Sequence, residues 1–248
     1  MLKRILRQVF RSIGLDIRRY NPSSPDMQRM LTLYGIDTIF DIGANAGQSG
    51  DHFRSLGFKG KIVSFEPIRY LFHKLEAKAC RDPLWYVENV ALGLNAGKAE
   101  INVSGGHAGA SSLLEMTDNV KNNAPDQIFF RKEQVEVTTL SAMLAKHYPC
   151  GNRCFLKIDV QGYEKNVLEG GLDSLDRVIG MKVELSLVEN YEGEPLLNDM
   201  LPFLCDLGFR SVSFENGWGN VKSGELYQVD CIAFRTDVHS KSHSVSIG

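Results

Sequence analysis

The 248-residue chain is 43% hydrophobic with a formal net charge of -2, enough to bury one sizeable core and too evenly charged to mark nucleic acid as the partner. No apolar run approaches the roughly 20 residues that crossing a bilayer takes. Five scattered cysteines make no disulfide framework, so a reducing cytoplasm is the expected compartment.

In chain order, "MLKRILRQVFRSIGLDIRRY" sets Leu2, Ile5, Leu6, Val9, Phe10 and Ile13 at helical spacing, with Lys3, Arg4, Arg7 and Arg11 mainly opposite. It lacks the uninterrupted apolar core and cleavage site of a secretory signal. Such a helix either packs its stripe on the domain or makes peripheral contact with the anionic inner face of a membrane. "NPSSPD" is a turn-rich linker, which divides the chain into residues 1–25, a main domain over 26–236 and a tail over 237–248 expected to be disordered. Strands are predicted at Thr38–Ile42, Lys61–Phe65 and Trp85–Leu92, alternating with helices at Gln48–Leu56 and Tyr70–Ala79. That rhythm specifies a doubly wound, mostly parallel α/β sheet. An insertion follows: a strand at Ala99–Ser104, the glycine-rich "GGHAGASS", a polar segment through Gln134, a strand at Val135–Leu140 and a short helix at Ser141–His147. Alternation resumes with Cys154–Val160, a helix at Tyr163–Glu169, Arg177–Leu187, a helix at Leu196–Leu207 closed by Gly208, and a final antiparallel pair, "RSVSFE" and "QVDCIAF". Cys150 and Cys154 approach a zinc half-site, but no second pair completes it.

The stretch "FDIGANAGQ" places Gly43 and Gly47 where a strand turns into a helix, a spot where backbone can approach a ligand closely. Glu66 ends the next strand about 20 residues on, the position from which an acid grips ribose hydroxyls. A nucleoside ligand is expected. Asn45 replaces the central glycine of the dinucleotide fingerprint, and Asp41 at the strand end disfavours a pyrophosphate. The charge instead suits S-adenosylmethionine, whose ammonium and sulfonium are cationic, while its carboxylate can use the helix N–H groups.

With "FDIGANAGQ", "VSFEP", "NVALG", "SSLLE", "LKIDVQGYEKNVLEGG" and "VELSLVENYEGEPLL" in this order, the sequence resembles the FkbM-type methyltransferase family over Ile36 to Phe234. The resemblance implies a class I, Rossmann-like fold with seven strands, the last reversed. It also implies O-methylation of a hydroxyl on a sugar, glycolipid or polyketide, with S-adenosylmethionine as donor. Asp41, Gly43, Asn45 and Gly47 carry over as the methionine-side loop, Glu66 as the ribose acid and Asn89 as a neighbour of the adenine. Asp159 ends the fourth strand beside the expected methyl group and is the first candidate for general base, with Glu184 second. Lys157 shares its face and needs a carboxylate partner. His107, on the glycine-rich loop, is a third candidate base by its ordinary pKa. Tyr163, Glu164 and "ENYEG" are candidates for the acceptor pocket. Mg²⁺ between Asp159 and Glu184 is a second reading, not favoured because no third ligand stands out. The expected acceptor is a small molecule or glycan rather than nucleic acid.

Overall fold

Strands rich in β-branched and aromatic residues need cover on both faces, and that requirement shapes the molecule. The computed structural model describes residues 26–237 apart from 107 and 152. The expected amphipathic helix and most of the expected disordered tail lie outside the described residues. Within them the elements are α1 (Met27–Leu33), β1 (Thr38–Ile42), α2 (Gln48–Ser55), β2 (Lys61–Phe65), α3 (Arg69–Ala79), β3 (Trp85–Glu88), β4 (Ala91–Leu92), β5 (Gly97–Ser104), α4 (Asp118–Asn123) and β6 (Phe129–Thr138). Then come α5 (Leu140–His147), β7 (Cys154–Ile158), α6 (Glu164–Glu169), β8 (Val178–Ser186), α7 (Leu197–Asp206), β9 (Phe209–Asn216) and β10 (Gln228–Arg235).

Seven strands form the main sheet in the order β3-β2-β1-β7-β8-β10-β9. β1 pairs in parallel with β2 and β7, and β7 with β8, whereas β10 runs antiparallel to both β8 and β9. This is the expected doubly wound architecture with one reversed strand. Alternation along the strands builds two cores. Phe40, Val63 and Leu156 face Leu144 of α5, Leu168 of α6 and Leu204 of α7. Ile39, Ile62 and Phe155 face Leu31 of α1, Phe53 of α2 and Leu75 of α3. Strand order reverses between β1 and β7, so the carboxyl ends of those two strands open the crevice where ligands of such sheets bind.

The predicted strand Trp85–Leu92 is instead two. Asn89 donates to the carbonyls of Glu66 (2.9 Å) and Pro67 (3.0 Å), which turns the chain, and β4 joins a second sheet of order β4-β6-β5. The polar stretch before Gln134 is also strand: β6 starts at Phe129, with Arg131, Lys132 and Glu133 opposite Val103, Asn102 and Ile101. Its charges hid an alternation whose partner supplies the apolar side. Ile101, Val103 and Val135 of this sheet pack on Ile68 and Leu71, making the insertion one wall of the crevice. Helices α1 and α4, of 7 and 6 residues, are too short for periodicity to have marked them. No helix among the described residues is long and apolar enough to cross a membrane.

Candidate active site

The loop after β1 turns because its residues accept positive φ: Gly43 (77°), Asn45 (50°) and Gly47 (83°). Gly43 is sterically required, since a Cβ there would lie 1.9 Å from the Asp159 carbonyl oxygen. Gly47 and Gly50 make room for the Trp85 ring, which seats α2 close to β3. Beside this loop lies a cleft of ≈ 290 Å³, lined by Gly43, Asn45, Glu66, Leu71, Leu92 and Asp159 among others.

Glu66 is 4% exposed. Its Oε2 accepts from the Asn45 N–H (2.8 Å) and its Oε1 from the Ile68 N–H (2.9 Å). Burial pushes its pKa up to about 7 against the pull of those donors and of Lys157. Each oxygen keeps a lone pair for a ligand hydroxyl. Asn89 stands one step back, bracing the Glu66–Pro67 turn, and it does not line the cleft.

Asp41 corrects the sequence-based charge argument. It is 0% exposed, so it has no direct access to a ligand. Its Oδ2 accepts from the Ser64 hydroxyl (3.2 Å), and its Oδ1 lies 3.4 Å from Lys157 Nζ. Burial raises its pKa, with Lys157 pulling the other way. The exposed member of the group is Asp159, with a side chain 37% exposed and Oδ2 3.3 Å from Lys157. Burial alone would lower the Lys157 pKa, but Asp159 and Asp41 outweigh it and hold the ammonium above the ordinary lysine range. Lys157 also donates to the Gly43 carbonyl (3.0 Å), tying β7 to the glycine loop. The exposed negative charge that a cationic ligand meets is therefore that of Asp159.

A second cavity of ≈ 470 Å³ adjoins the first, and Gly109, Asp159 and Gln161 line both. Its walls include Asn123, Glu184, Asn190, Tyr191, Trp218 and Gln228. Asp159 and Glu184 are thus brought together, bridged by the Gln161 amide nitrogen at 2.8 and 2.6 Å. Burial raises the Glu184 pKa well above the carboxylate range, reinforced by Asp159, Glu164 and Asp230. Among the described residues no group of three or more His, Cys, Asp or Glu side chains is arranged to hold a metal, and Cys150 and Cys154 are free thiols. Of the acceptor-pocket candidates, Tyr163 lines the first cleft and Asn190 and Tyr191 the second. Glu164 does not. It is buried beneath the turn, accepting from the N–H groups of Val160 (3.0 Å) and Gly162 (3.3 Å), with its pKa raised by burial to about 8. His107 lies outside the described residues. Sequence reasoning missed Gln161 and Trp218. The only sign of the first was its place between Asp159 and Gly162, and the second sits on a β9–β10 loop far along the chain.

The family model described as Methyltransferase FkbM domain matches residues 41–211. No curated protein matches the chain in sequence. Similar solved structures include a SAM-dependent methyltransferase from Aquifex aeolicus (15% identical, 88% of this chain and 100% of that chain, TM-score 0.38). An rRNA methylase from Streptococcus thermophilus is 8% identical over 88% of this chain and 99% of that one, TM-score 0.44. M. capricolum TrmK, in complex with S-adenosyl-homocysteine, is 7% identical over 86% and 70%, TM-score 0.43.

Proposed function

This chain belongs to the FkbM methyltransferase family, and we propose that it transfers the methyl group of S-adenosylmethionine to a hydroxyl of a sugar, in a glycan, glycolipid or glycosylated natural product. The observation that carries the reading is the position of Asp159 on the boundary of two adjoining cavities. When bound in the first, S-adenosylmethionine supplies an electrophilic methyl group on a sulfonium and leaves as a neutral thioether. Gly43, Asn45 and Gly47 shape the loop that admits its methionine end. Glu66 accepts hydrogen bonds from its ribose, and Ile68, Leu71, Ala91 and Leu92 offer an apolar bed for its base.

Asp159 takes the proton of the acceptor hydroxyl as the oxygen forms its bond to the methyl carbon and the carbon–sulfur bond breaks towards sulfur. Glu184, which faces the same cavity, is the alternative base. The acceptor side favours a neutral polyhydroxyl compound: amides and carboxylates can pair with hydroxyls, and the Trp218 indole offers a flat apolar face. Asp126 and Asp159 in that wall disfavour a polyanion such as nucleic acid. A polyketide hydroxyl is the runner-up acceptor.

The test is transfer of a radiolabelled methyl group to p-nitrophenyl glycosides and to a hydroxylated macrolactone, alongside calorimetry with S-adenosylhomocysteine and NAD. Glycoside labelling that falls at least about a hundredfold in Asp159→Asn, with cofactor affinity kept, supports the reading. Binding of NAD in preference to S-adenosylhomocysteine overturns the cofactor. Labelling of the macrolactone alone overturns the sugar.

A further inference from the structure

Gln161 holds a conformation that its residue type seldom adopts. Its φ is 58°, the left-handed region that a long side chain occupies only when its surroundings keep it there. The surroundings are specific. The Gln161 amide nitrogen donates to Asp159 Oδ1 (2.8 Å) and to Glu184 Oε2 (2.6 Å). Its amide oxygen accepts from the Tyr191 hydroxyl (2.7 Å), and its backbone carbonyl accepts from Ser112 Oγ (2.6 Å). Flipping the amide would set its oxygen against the Asp159 carboxylate and take it from the Tyr191 hydroxyl, so these partners fix its direction.

The clamp sits among several acids. The charged and titratable groups around Asp159 are Asp41 of β1, Lys157 of β7, Glu164 of α6, Glu184 of β8, Tyr191 of the loop after β8 and Asp230 of β10. Lys157 pairs with Asp159 and Lys182 with Asp230, while burial favours the protonated form of Glu164 and Glu184, so what links Asp159 to Glu184 is a shared hydrogen-bond partner rather than charge. An amide nitrogen has two protons and can satisfy one carboxylate with each. Lys157 anchors Oδ2 of Asp159, which leaves Oδ1 to Gln161. We propose, resting on the reading of Asp159 as base, that Gln161 is a positioning residue that ties Asp159 to Glu184 and presents Asp159 to the boundary of the two cavities in one orientation.

The test uses the full chain saturated with S-adenosylhomocysteine. In Gln161→Gly the backbone conformation is accommodated without strain. Tyr191 keeps the Ala110 carbonyl and Glu184 keeps the Gln228 amide, so the variant should fold. The Asp159 carboxyl resonance, assigned by its loss in Asp159→Asn, is expected to move and broaden in Gln161→Gly, while calorimetric affinity for S-adenosylhomocysteine stays within about twofold. Gln161→Glu, which replaces the donor with an acid, is expected to perturb the resonance further. On the glycosides above, kcat should fall about tenfold with KM for S-adenosylmethionine unchanged, as for an interaction that acts in the transition state. An Asp159 resonance that stays sharp and unmoved in Gln161→Gly overturns the clamp and leaves the base intact. Cofactor affinity that falls as far as kcat also overturns it, because Gln161 would then merely shape the cleft. Full transfer by Asp159→Asn removes the base instead, and leaves the resonance test of the clamp standing.

Discussion

Single residues decide whether the crevice between β1 and β7 exists. Gly43 carries two constraints together, a φ of 77° and a Cβ position 1.9 Å from the Asp159 carbonyl. Gly43→Ala is expected to cost about 2–4 kcal/mol of unfolding free energy and to abolish S-adenosylhomocysteine binding; denaturant melts and calorimetry check both. Glu164 gives a pH signature. Burial raises its pKa from 4.5 to about 8, so the folded chain keeps a proton there that the unfolded chain has already released. The resulting stability is complete below the ordinary carboxylate range and is lost as pH rises towards about 8. In Glu164→Gln the oxygen still accepts from Val160 and Gly162 but cannot titrate. The decline of melting temperature across that window should therefore flatten, and an unchanged slope would count against a protonated Glu164.

At the scale of elements, β1 and β7 are joined by more than their ladder. Asp41 and Lys157 sit in register on adjacent strands and form a buried ion pair whose cation also serves Asp159. Lys157→Met leaves two carboxylates without their counter-charge and is expected to destabilise by about 3–5 kcal/mol. Asp41→Asn, which leaves Lys157 paired with Asp159, should cost less. In the double variant the two costs should fall short of their sum, as a double-mutant cycle on urea unfolding would read; strict additivity would deny the coupling. The strands and the glycine turn were legible in the sequence because buried parallel strands are written as short β-branched runs, and "DIGANAG" could hardly be anything but a turn. The break at Asn89 was not legible, because what ends the strand is a pair of carbonyls more than 20 residues away. β6 was hidden because half of its alternation is charged. Asp41 was read as the charge beside the ligand; only the fold reveals that Lys157, separated from it by five strands in sequence but adjacent in the sheet, takes its charge. That Glu66 and Asp159 line the cleft was legible because both end strands at the crevice, whereas the placement of Gln161 and Trp218 depends on contacts that sequence distance conceals.

For the molecule as a whole, the insertion lines both cavities, the first together with Glu66 and the glycine loop and the second together with Trp218 of the β9–β10 loop, so Glu66 belongs to one cavity and Trp218 to the other. The two should therefore respond separately. Trp218→Ala is expected to raise the glycoside KM several-fold with cofactor affinity unchanged, while Glu66→Gln weakens cofactor binding and leaves the glycoside KM alone. Equal effects on both ligands in both variants would mean that the cavities act as one. The chain has two tryptophans, and they are distributed one to each side. Trp85 lies against the glycine turn and the start of α2 at Gly47 and Gly50, and its indole N–H donates to Ser64 (3.0 Å), which in turn donates to Asp41. Trp218 lines the other cavity. On the proposed function, the Trp85 emission in Trp218→Phe is expected to follow the donor and the Trp218 emission in Trp85→Phe the acceptor, so the order in which the two arrive would be read from light without a label.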